Sequence, residues 1–264
     1  MIKGNTEGSS LIRHMTLRVD LGRRSAQQFA DEIVSESQVS LYINGSYYSA
    51  MTILPFEIKE LVVGHLTVEG IIEKIDDILE LEISKQRIDI QLRKELPMRK
   101  TRIISTECGS EERSIPPRIW MKPKKQDSTI RLVSQVIIEA VKNLNLSAEI
   151  YRRTGGTHSA ALMNKQGCIM LISEDISRHS AVDKVIGKAI LQGLNFKEVF
   201  LTSSGRITSD IVIKAANVGI PIIVSVSAPT DKGIKLADMM GITLIGFARG
   251  KRFNIYTHPE KIIF

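Results

Sequence analysis

The second half of the chain alternates short apolar runs with amphipathic helical patterns, and this alternation constrains the fold most strongly. Strands that alternate with helices are joined by helical crossovers, which favour parallel pairing and helices on both faces of a sheet. We therefore predict a three-layer α/β domain over residues 127–264. Its predicted strands are 168–173, 198–202, 221–226, 242–247 and 253–256, and its predicted helices are 129–144, 180–193, 208–218 and one that ends at Gly241.

Residues 1–95 predict a smaller α+β domain. Asn44-Gly45 lies between two apolar-rich segments and fits a type I′ hairpin turn. Gly64 falls inside a predicted helix, where glycine costs helical stability, so we expect another backbone to approach it closely. The other predicted elements of this part are strands at 11–20, 78–83 and 87–92 and the helix at 56–68.

Residues 96–126 contain prolines and many charges and show no sustained hydrophobic period of a helix or a strand. We interpret them as a mobile loop. Cys108 lies in this loop between polar neighbours. An accessible thiol beside basic segments is the setting in which a thiolate becomes reactive, although a spectator surface cysteine is the alternative. Cys168, in contrast, starts an apolar run and is predicted to be structural.

The densest polar cluster is at residues 174–187, between a predicted strand and a predicted helix. Two carboxylates precede Arg178 and His179 there. A helix N-terminus has free backbone N–H groups and a positive dipole end, so these side chains predict a cradle for a phosphate or another anion. Ser180 followed by Asp183 predicts a capping box. The alternative interpretation is a capped helix with a solvated ion-pair cluster.

Three segments that leave predicted strands carry polar chemistry, at 173–180, 203–206 and 227–230. In an open α/β sheet the carboxyl ends of the strands line one crevice, where ligands bind. The glycine-rich turn at 154–158 is expected near the same rim. The combination of serine, glycine, arginine and histidine in these segments predicts a real pocket.

Composition excludes several classes of protein. The net charge of +7 favours anionic partners, yet aromatic residues make up only 5% and no zinc-finger or RRM signature occurs, so nucleic-acid binding is not predicted. No apolar run is long enough to cross a membrane, and the first residues lack a signal-peptide core. We therefore expect a cytoplasmic protein without a membrane partner. Two cysteines are too few for a disulfide framework or a four-thiolate metal site.

Four motifs, in this order, resemble the formate dehydrogenase accessory sulfurtransferases, the FdhD/NarQ family. Each motif alone is weak, and together at these separations they are specific. The resemblance implies a cytidine-deaminase-like fold for the second half, a smaller N-terminal part and a homodimer. The motifs are Thr154-Gly-Gly-Thr-His158, Arg178-His-Ser-Ala-Val-Asp-Lys-Val-Ile-Gly187, Ser204-Gly-Arg206 and Ser227-Ala-Pro-Thr230.

The resemblance also implies a sulfur carrier that is required for formate dehydrogenase activity. A cysteine of the central loop would accept persulfide sulfur from a cysteine desulfurase. The sulfur would pass to the molybdenum (or tungsten) bis-pterin guanine dinucleotide cofactor before its insertion into formate dehydrogenase. Cys108 matches the first cysteine of the family's Cys-x-x-Cys element, and Glu111 stands at the second position. A carrier with one persulfide needs only the first cysteine. Ser177 and Ser180 replace a usual glycine and a usual asparagine.

The resemblance places the nucleotide part of that cofactor at the rim, with GDP as the expected mimic. Arg178 and Arg206 would contact its phosphates, His179 would donate to the same ligand, and Asp183 would orient it or contact the guanine edge. Lys184 is either a further contact or a solvated helix residue. The predicted cofactor-binding set is Gly155, Gly156, His158, Arg178, His179, Asp183, Ser204, Gly205, Arg206, Ser227, Ala228, Pro229 and Thr230.

Two other functions compete with this one. A zinc-dependent deaminase would share the implied fold, but it needs His/Cys-x-Glu and Pro-Cys-x-x-Cys ligands. His158 is followed by Ser159-Ala160, and the cysteines are not paired in sequence, so no zinc is expected. A non-catalytic chaperone that holds the molybdenum cofactor without moving sulfur is the second alternative, and Glu111 keeps it open.

Overall fold

The computed structural model describes residues 2–3, 9–95 and 130–264, which form a mixed α/β structure. Cys108 and the rest of the predicted loop at 96–126 lie outside the described residues. The helices are α1 (Ile58–Val68), α2 (Ser134–Ser147), α3 (Glu149–Thr154), α4 (Arg178–Leu191), α5 (Ser209–Val218) and α6 (Asp231–Met240). The strands are β1 (Ile2–Lys3), β2 (Leu11–Asp20), β3 (Ser25–Val34), β4 (Ser37–Ile43), β5 (Ser46–Ile53), β6 (Ile78–Ile83), β7 (Arg87–Leu92), β8 (Leu132–Val133), β9 (His158–Asn164), β10 (Ile169–Asp175), β11 (Val199–Ser203), β12 (Ile222–Ser225), β13 (Thr243–Arg249), β14 (Arg252–Thr257) and β15 (Ile262–Ile263).

The N-terminal sheet has five strands in the order β1-β6-β7-β4-β5, and α1 packs against it. The β4–β5 hairpin turns at Asn44 and Gly45, whose φ angles of 49° and 77° are the left-handed values that a type I′ turn requires. The predicted hairpin is therefore confirmed. Buried side chains of α1, such as Leu61 and Leu66, share one core with strand residues such as Leu41.

Strands β2 and β3 form a separate antiparallel ribbon. The bounds of β2 agree with the prediction, whereas β3 was not predicted because its sequence is largely polar. Glu32 near the end of β3 accepts two hydrogen bonds from the Arg153 guanidinium, at 2.7 and 2.8 Å. Val34 lies against Gly156, so the base of the ribbon contacts the glycine-rich turn.

The C-terminal sheet has six strands in the order β10-β9-β11-β12-β13-β14. Strands β10, β11, β12 and β13 run in one direction, and β9 and β14 run in the other. One face packs against α4, α5 and α6, and the other packs against α2. Leu201 and Phe200, adjacent in β11, are both fully buried on opposite faces, because both faces are covered by helices. This arrangement agrees with the predicted α/β layers.

Two local predictions were wrong. Helix α2 begins at Ser134 because the preceding residues form β8, which pairs with β15. Cys168 is exposed, so it is not a buried structural residue. Its backbone N–H donates to the Asn164 side chain at 3.0 Å, which makes Cys168 the last residue of the turn before β10.

Helix α1 joins the two halves by packing along α4. Gly64 faces the α4 backbone at Asp183 and Gly187, which confirms the predicted close approach at Gly64. No helix within the described ranges has the length and apolar character needed to span a membrane.

Candidate functional site

The predicted rim residues lie at the edge of the C-terminal sheet where β10, β11 and β12 end. Because β9 is antiparallel to its neighbours, His158 at its start lies at the same edge, opposite Asp175. Ser203 at the end of β11 is opposite Ser225 at the end of β12. The structure therefore brings the glycine-rich turn and the three predicted loops to one rim.

Ser204 fixes His158. The Ser204 hydroxyl accepts a hydrogen bond from the Ser159 backbone N–H at 3.0 Å and lies 3.2 Å from His158 Nδ1. Burial lowers the pKa of His158 below its ordinary value, and the nearby Arg206 guanidinium lowers it further. His158 is therefore held as a neutral hydrogen-bonding group at neutral pH.

The two serine-containing loops are joined by hydrogen bonds. The Ile207 N–H donates to the Ala228 carbonyl at 3.1 Å, and the Thr230 N–H donates to the Ile207 carbonyl at 3.0 Å. The Ser225 hydroxyl donates to the Gly205 carbonyl at 2.6 Å. Thr230 is the N-cap of α6 and accepts from the Gly233 N–H, so Pro229 precedes this helix and does not lie in its first turn. Ser227 and Ala228 thus have fixed backbone positions.

Helix α4 begins at Arg178, after the N-cap Ser177, whose N–H donates to Asp175 Oδ1 at 2.9 Å. The Arg178 side chain passes directly over Gly205, where a Cβ atom would lie 2.7 Å from Arg178 Cβ. Burial lowers the pKa of the Arg178 guanidinium, and the nearby Arg206 lowers it further. Burial, Lys214 and Arg178 lower the pKa of His179 to about 4.

The rim is therefore rich in positive charge and hydrogen-bond donors. Arg206 is exposed, and Arg178 and His179 are half-buried beside it. Asp210 at the start of α5 opposes these charges. Gly155 and Gly156 are exposed at the same end of the sheet. Cations concentrated near a helix N-terminus stabilise a bound anion such as phosphate.

The two carboxylates before α4 have structural partners. Glu174 accepts hydrogen bonds from the N–H groups of Ile150 and Tyr151, both at 2.8 Å, and from the Thr157 hydroxyl at 2.9 Å. It therefore ties the start of α3 and the glycine-rich turn to β10. The predicted solvated ion-pair cluster does not form at Glu174, which is buried.

Asp175 pairs with Lys184 inside the protein. Lys184 Nζ lies 2.7 Å from Asp175 Oδ2 and donates to the Leu54 carbonyl at 3.0 Å. The Leu54 N–H donates back to Asp175 Oδ2 at 3.1 Å. Lys184 is fully buried, so its interpretation as a solvated helix residue was wrong. This pair anchors the end of the N-terminal hairpin on α4.

Asp183 is also buried and away from the rim surface. Its Oδ1 and Oδ2 lie 2.5 and 2.6 Å from Lys214 Nζ, and Oδ2 lies 3.1 Å from His65 Nδ1. The predicted capping box with Ser180 does not form, because α4 begins at Arg178 and its N-cap is Ser177. Asp183 is engaged by Lys214 and His65 in this structure, and its contact with a guanine edge stays a prediction.

Sequence reasoning did not identify His65 or Lys214 as part of this region. Lys214 lies between the apolar residues Ile213 and Ala215, which is the one signal of burial that the sequence offers. Within the described ranges, no group of three or more His, Cys, Asp or Glu side chains is arranged to hold a metal ion.

Comparison with known proteins identifies relatives over nearly the whole chain. The FdhD/NarQ family profile matches residues 34–263. "Sulfur carrier protein FdhD" of Methanothermobacter thermautotrophicus is 40% identical over 256 residues, which cover 96% of this chain and 100% of that protein. The protein of the same name from Bacillus subtilis is 32% identical over 238 residues, covering 88% of this chain and 90% of the relative. A crystal structure from Desulfotalea psychrophila, described as a formate dehydrogenase accessory protein, matches with a TM-score of 0.80 and 26% identity, covering 96% of this chain and 100% of that one.

Proposed function

The chain belongs to the FdhD/NarQ family, and we propose that it carries persulfide sulfur on Cys108 to a molybdenum (or tungsten) bis-pterin guanine dinucleotide. A cysteine desulfurase is the proposed donor, and formate dehydrogenase is the proposed recipient of the finished cofactor. Relatives named as sulfur carrier proteins support the sulfur-carrying role. The rim built from His158, Arg178, His179 and Arg206 is the observation that supports the cofactor-binding role.

Loading of Cys108 is a thiol–persulfide exchange. The Cys108 thiolate attacks the terminal sulfur of the desulfurase persulfide, a new S–S bond forms on Cys108, and the desulfurase cysteine leaves as a thiolate. Oxidation states balance without another reactant. Delivery of this sulfur as sulfide requires two electrons and releases the Cys108 thiol. Because Glu111 occupies the second motif position, we propose that two equivalents of a low-molecular-weight thiol supply those electrons and become a disulfide.

The residues at the rim fit the nucleotide part of the proposed substrate. A pyrophosphate needs cationic and N–H donors, and Arg178 and Arg206 offer guanidinium groups at the N-terminus of α4. The neutral imidazoles of His158 and His179 can donate hydrogen bonds without adding charge. We propose that GDP occupies the same place. Its affinity is expected to fall as salt rises, because phosphate contacts are screened. A folded protein that shows no GDP binding in low-salt buffer would contradict this site.

We also propose the remaining features that the family resemblance implies. The order β10-β9-β11-β12-β13, with only β9 reversed, supports a cytidine-deaminase-like arrangement of the C-terminal half. A homodimer and a cytoplasmic location complete the proposal. Light scattering of the purified protein tests the first of these, and cell fractionation tests the second.

The central experiment is transfer of radiolabelled sulfur from a cysteine desulfurase. Wild-type protein and Cys108→Ser are incubated with the desulfurase and labelled cysteine, and Cys168→Ser is the matched control because the Cys168 thiol is exposed. We expect label on the wild-type protein and on Cys168→Ser, and none on Cys108→Ser. The label must be released by a reducing thiol, as a persulfide requires.

The alternative function is a chaperone that binds the molybdenum cofactor without moving sulfur. It predicts that all three proteins remain unlabelled while GDP still binds. Equal loss of labelling in both folded cysteine variants would contradict the assignment of the sulfur to Cys108 alone. The two measurements therefore separate sulfur transfer from cofactor binding.

A further inference from the structure

A buried polar network connects three helices behind the rim. Asp183 of α4 receives Lys214 of α5 on both oxygens and His65 of α1 on one oxygen. Asp183, Lys214 and His65 are only 2%, 4% and 3% exposed, respectively. A buried ion pair is expensive to desolvate, and replacement of such a pair by apolar residues is often neutral or stabilising. Stability alone is therefore a weak reason for this network.

Charge in the network is balanced by the ion pair itself. Burial opposes ionisation of Asp183, but Lys214 and His65 outweigh it and hold the pKa of this carboxyl below its ordinary value. His65 directs Nδ1 to the carboxylate, and its buried Nε2 has no hydrogen-bond partner in the described part of the chain. The network thus consists of the Lys214–Asp183 ion pair and the His65 imidazole that contacts the same carboxylate.

Helical geometry places this network directly behind the ligand-facing residues. His179 and Asp183 are four residues apart in α4, so their side chains are neighbours on one face of the helix. Lys214 is held on that face by Asp183. His179 immediately follows Arg178, whose side chain packs on Gly205 of the adjacent loop. Lys214 therefore contacts α4 one helical turn after His179, in the part of α4 next to the rim.

We propose that Lys214, held by Asp183, is a positioning residue for the rim: it fixes the first turn of α4 and with it the side chains of Arg178 and His179. Lys214 comes from α5, so the ion pair joins the helix after β10 to the helix after β11. The loops before α4 and α5 both contribute residues to the rim, and in the proposed function they bind one nucleotide together. His65 extends the same connection to α1.

The ammonium group also affects the charge of His179. Burial is the main reason why the pKa of His179 falls to about 4, and Lys214 is the next cause, followed by Arg178. Asp210 and Asp183 act in the opposite direction and do not outweigh these effects. Lys214 therefore adds to the effect of burial in holding the pKa of His179 low. A ligand then meets a fixed N–H donor instead of an imidazolium whose charge varies with pH.

The test removes both charges of the pair, so that no buried charge is left without its partner. In Lys214→Met/Asp183→Asn we expect the His179 pKa to rise toward its ordinary value of about 6.5, because Lys214 lowers it more than Asp183 raises it. NMR titration of the imidazole in ligand-free protein measures this shift. We expect the GDP dissociation constant at pH 7.5 to increase about tenfold, since a correctly placed charged hydrogen bond contributes about that factor.

Lys188→Met is the matched control. Lys188 is on α4, the helix of Asp183 and His179, and pairs with Glu57 of the N-terminal half, but it lies in the last turn of α4. This variant should lose stability without a change in the His179 pKa or in GDP affinity. If Lys214→Met/Asp183→Asn does not fold, Lys214→Gln/Asp183→Asn retains a hydrogen bond without the charges and carries the same expectation.

The GDP measurement rests on the proposed function, but the His179 titration does not. If wild-type protein fails to bind GDP, the ligand assignment fails, and the titration still decides the positioning role. An unchanged His179 pKa in the folded charge-free variant would overturn the inference. Unchanged GDP affinity, in a protein whose wild type binds GDP, would also overturn it.

Discussion

Gly64 of α1 and Gly187 of α4 meet where the two helices cross. A Cβ atom on Gly64 would lie 1.8 Å from the Asp183 carbonyl oxygen, and one on Gly187 would lie 1.8 Å from the Glu60 carbonyl oxygen. These distances are far below van der Waals contact, so no side chain fits between the helices. The crossing brings His65 within hydrogen-bonding distance of Asp183. The glycine pair is therefore a condition for the buried network.

Gly64→Ala is expected to destabilise the protein by about 2–3 kcal/mol or more, because a methyl group at the crossing forces two backbones apart. In a helix that faces solvent, the same Gly→Ala substitution would instead stabilise the protein by about 1 kcal/mol, because alanine has the higher helix propensity. Urea unfolding measures the change. Gly22→Ala, in the exposed turn between β2 and β3, is the control and should have little effect. A Gly64→Ala protein as stable as wild type would refute the tight crossing.

Arg178→Ala is expected to weaken GDP binding by about ten- to a hundredfold, because it removes a charge-assisted hydrogen bond to phosphate. Persulfide loading of Cys108 should remain nearly intact, because in the proposed function the desulfurase acts on Cys108 and not on the nucleotide-binding rim. Calorimetry and the labelled-sulfur assay measure the two effects.

The contrary possibility is that Arg178 lowers the pKa of the Cys108 thiol. A thiol-alkylation pH profile would then show a raised pKa in Arg178→Ala, with slower loading and unchanged GDP affinity. That combination of results would show that the phosphate-binding role proposed for Arg178 is wrong.

Protein stability should fall between pH 6.5 and pH 4, in part because of His179. Its native pKa is about 4, below the ordinary 6.5, so in this window the unfolded chain binds a proton that the folded protein does not. The contribution is present above pH 6.5 and is lost as the pH falls. Relative to His179→Gln, wild type should lose about 2 kcal/mol between pH 7 and pH 4.5. If the free energy of unfolding in urea changes with pH in the same way for wild type and His179→Gln, the low native pKa of His179 is contradicted.

Cys168→Ala is expected to change the free energy of unfolding by less than about 0.5 kcal/mol, because the side chain is exposed. The folded Cys108→Ser protein, in which Cys168 is the remaining cysteine, should react with one equivalent of a thiol reagent without denaturant. A thiol that reacts only after unfolding would show that Cys168 is buried. Thermal unfolding of the alanine variant gives the stability comparison.

The sequence determined the elements whose signals are local. Asn44-Gly45 specified its hairpin, because both residues adopt positive φ readily and the turn needs no distant partner. Gly64 indicated a close approach, because glycine inside a helix otherwise lowers stability. The alternation of apolar runs and helical patterns specified the α/β layers, and with them the edge at which His158, Ser204 and Arg178 meet.

Which polar groups are buried, and what they bind, depends on contacts between residues that are far apart in the chain. Lys184 has the local sequence of a helix residue that could face solvent, yet it donates to Leu54, which is 130 positions away in the chain. Asp183 could cap its own helix by spacing, but His65 and Lys214 reach it from other helices. Charged side chains are buried when distant residues supply partners that replace water. No local pattern contains that information, because it depends on how the helices pack.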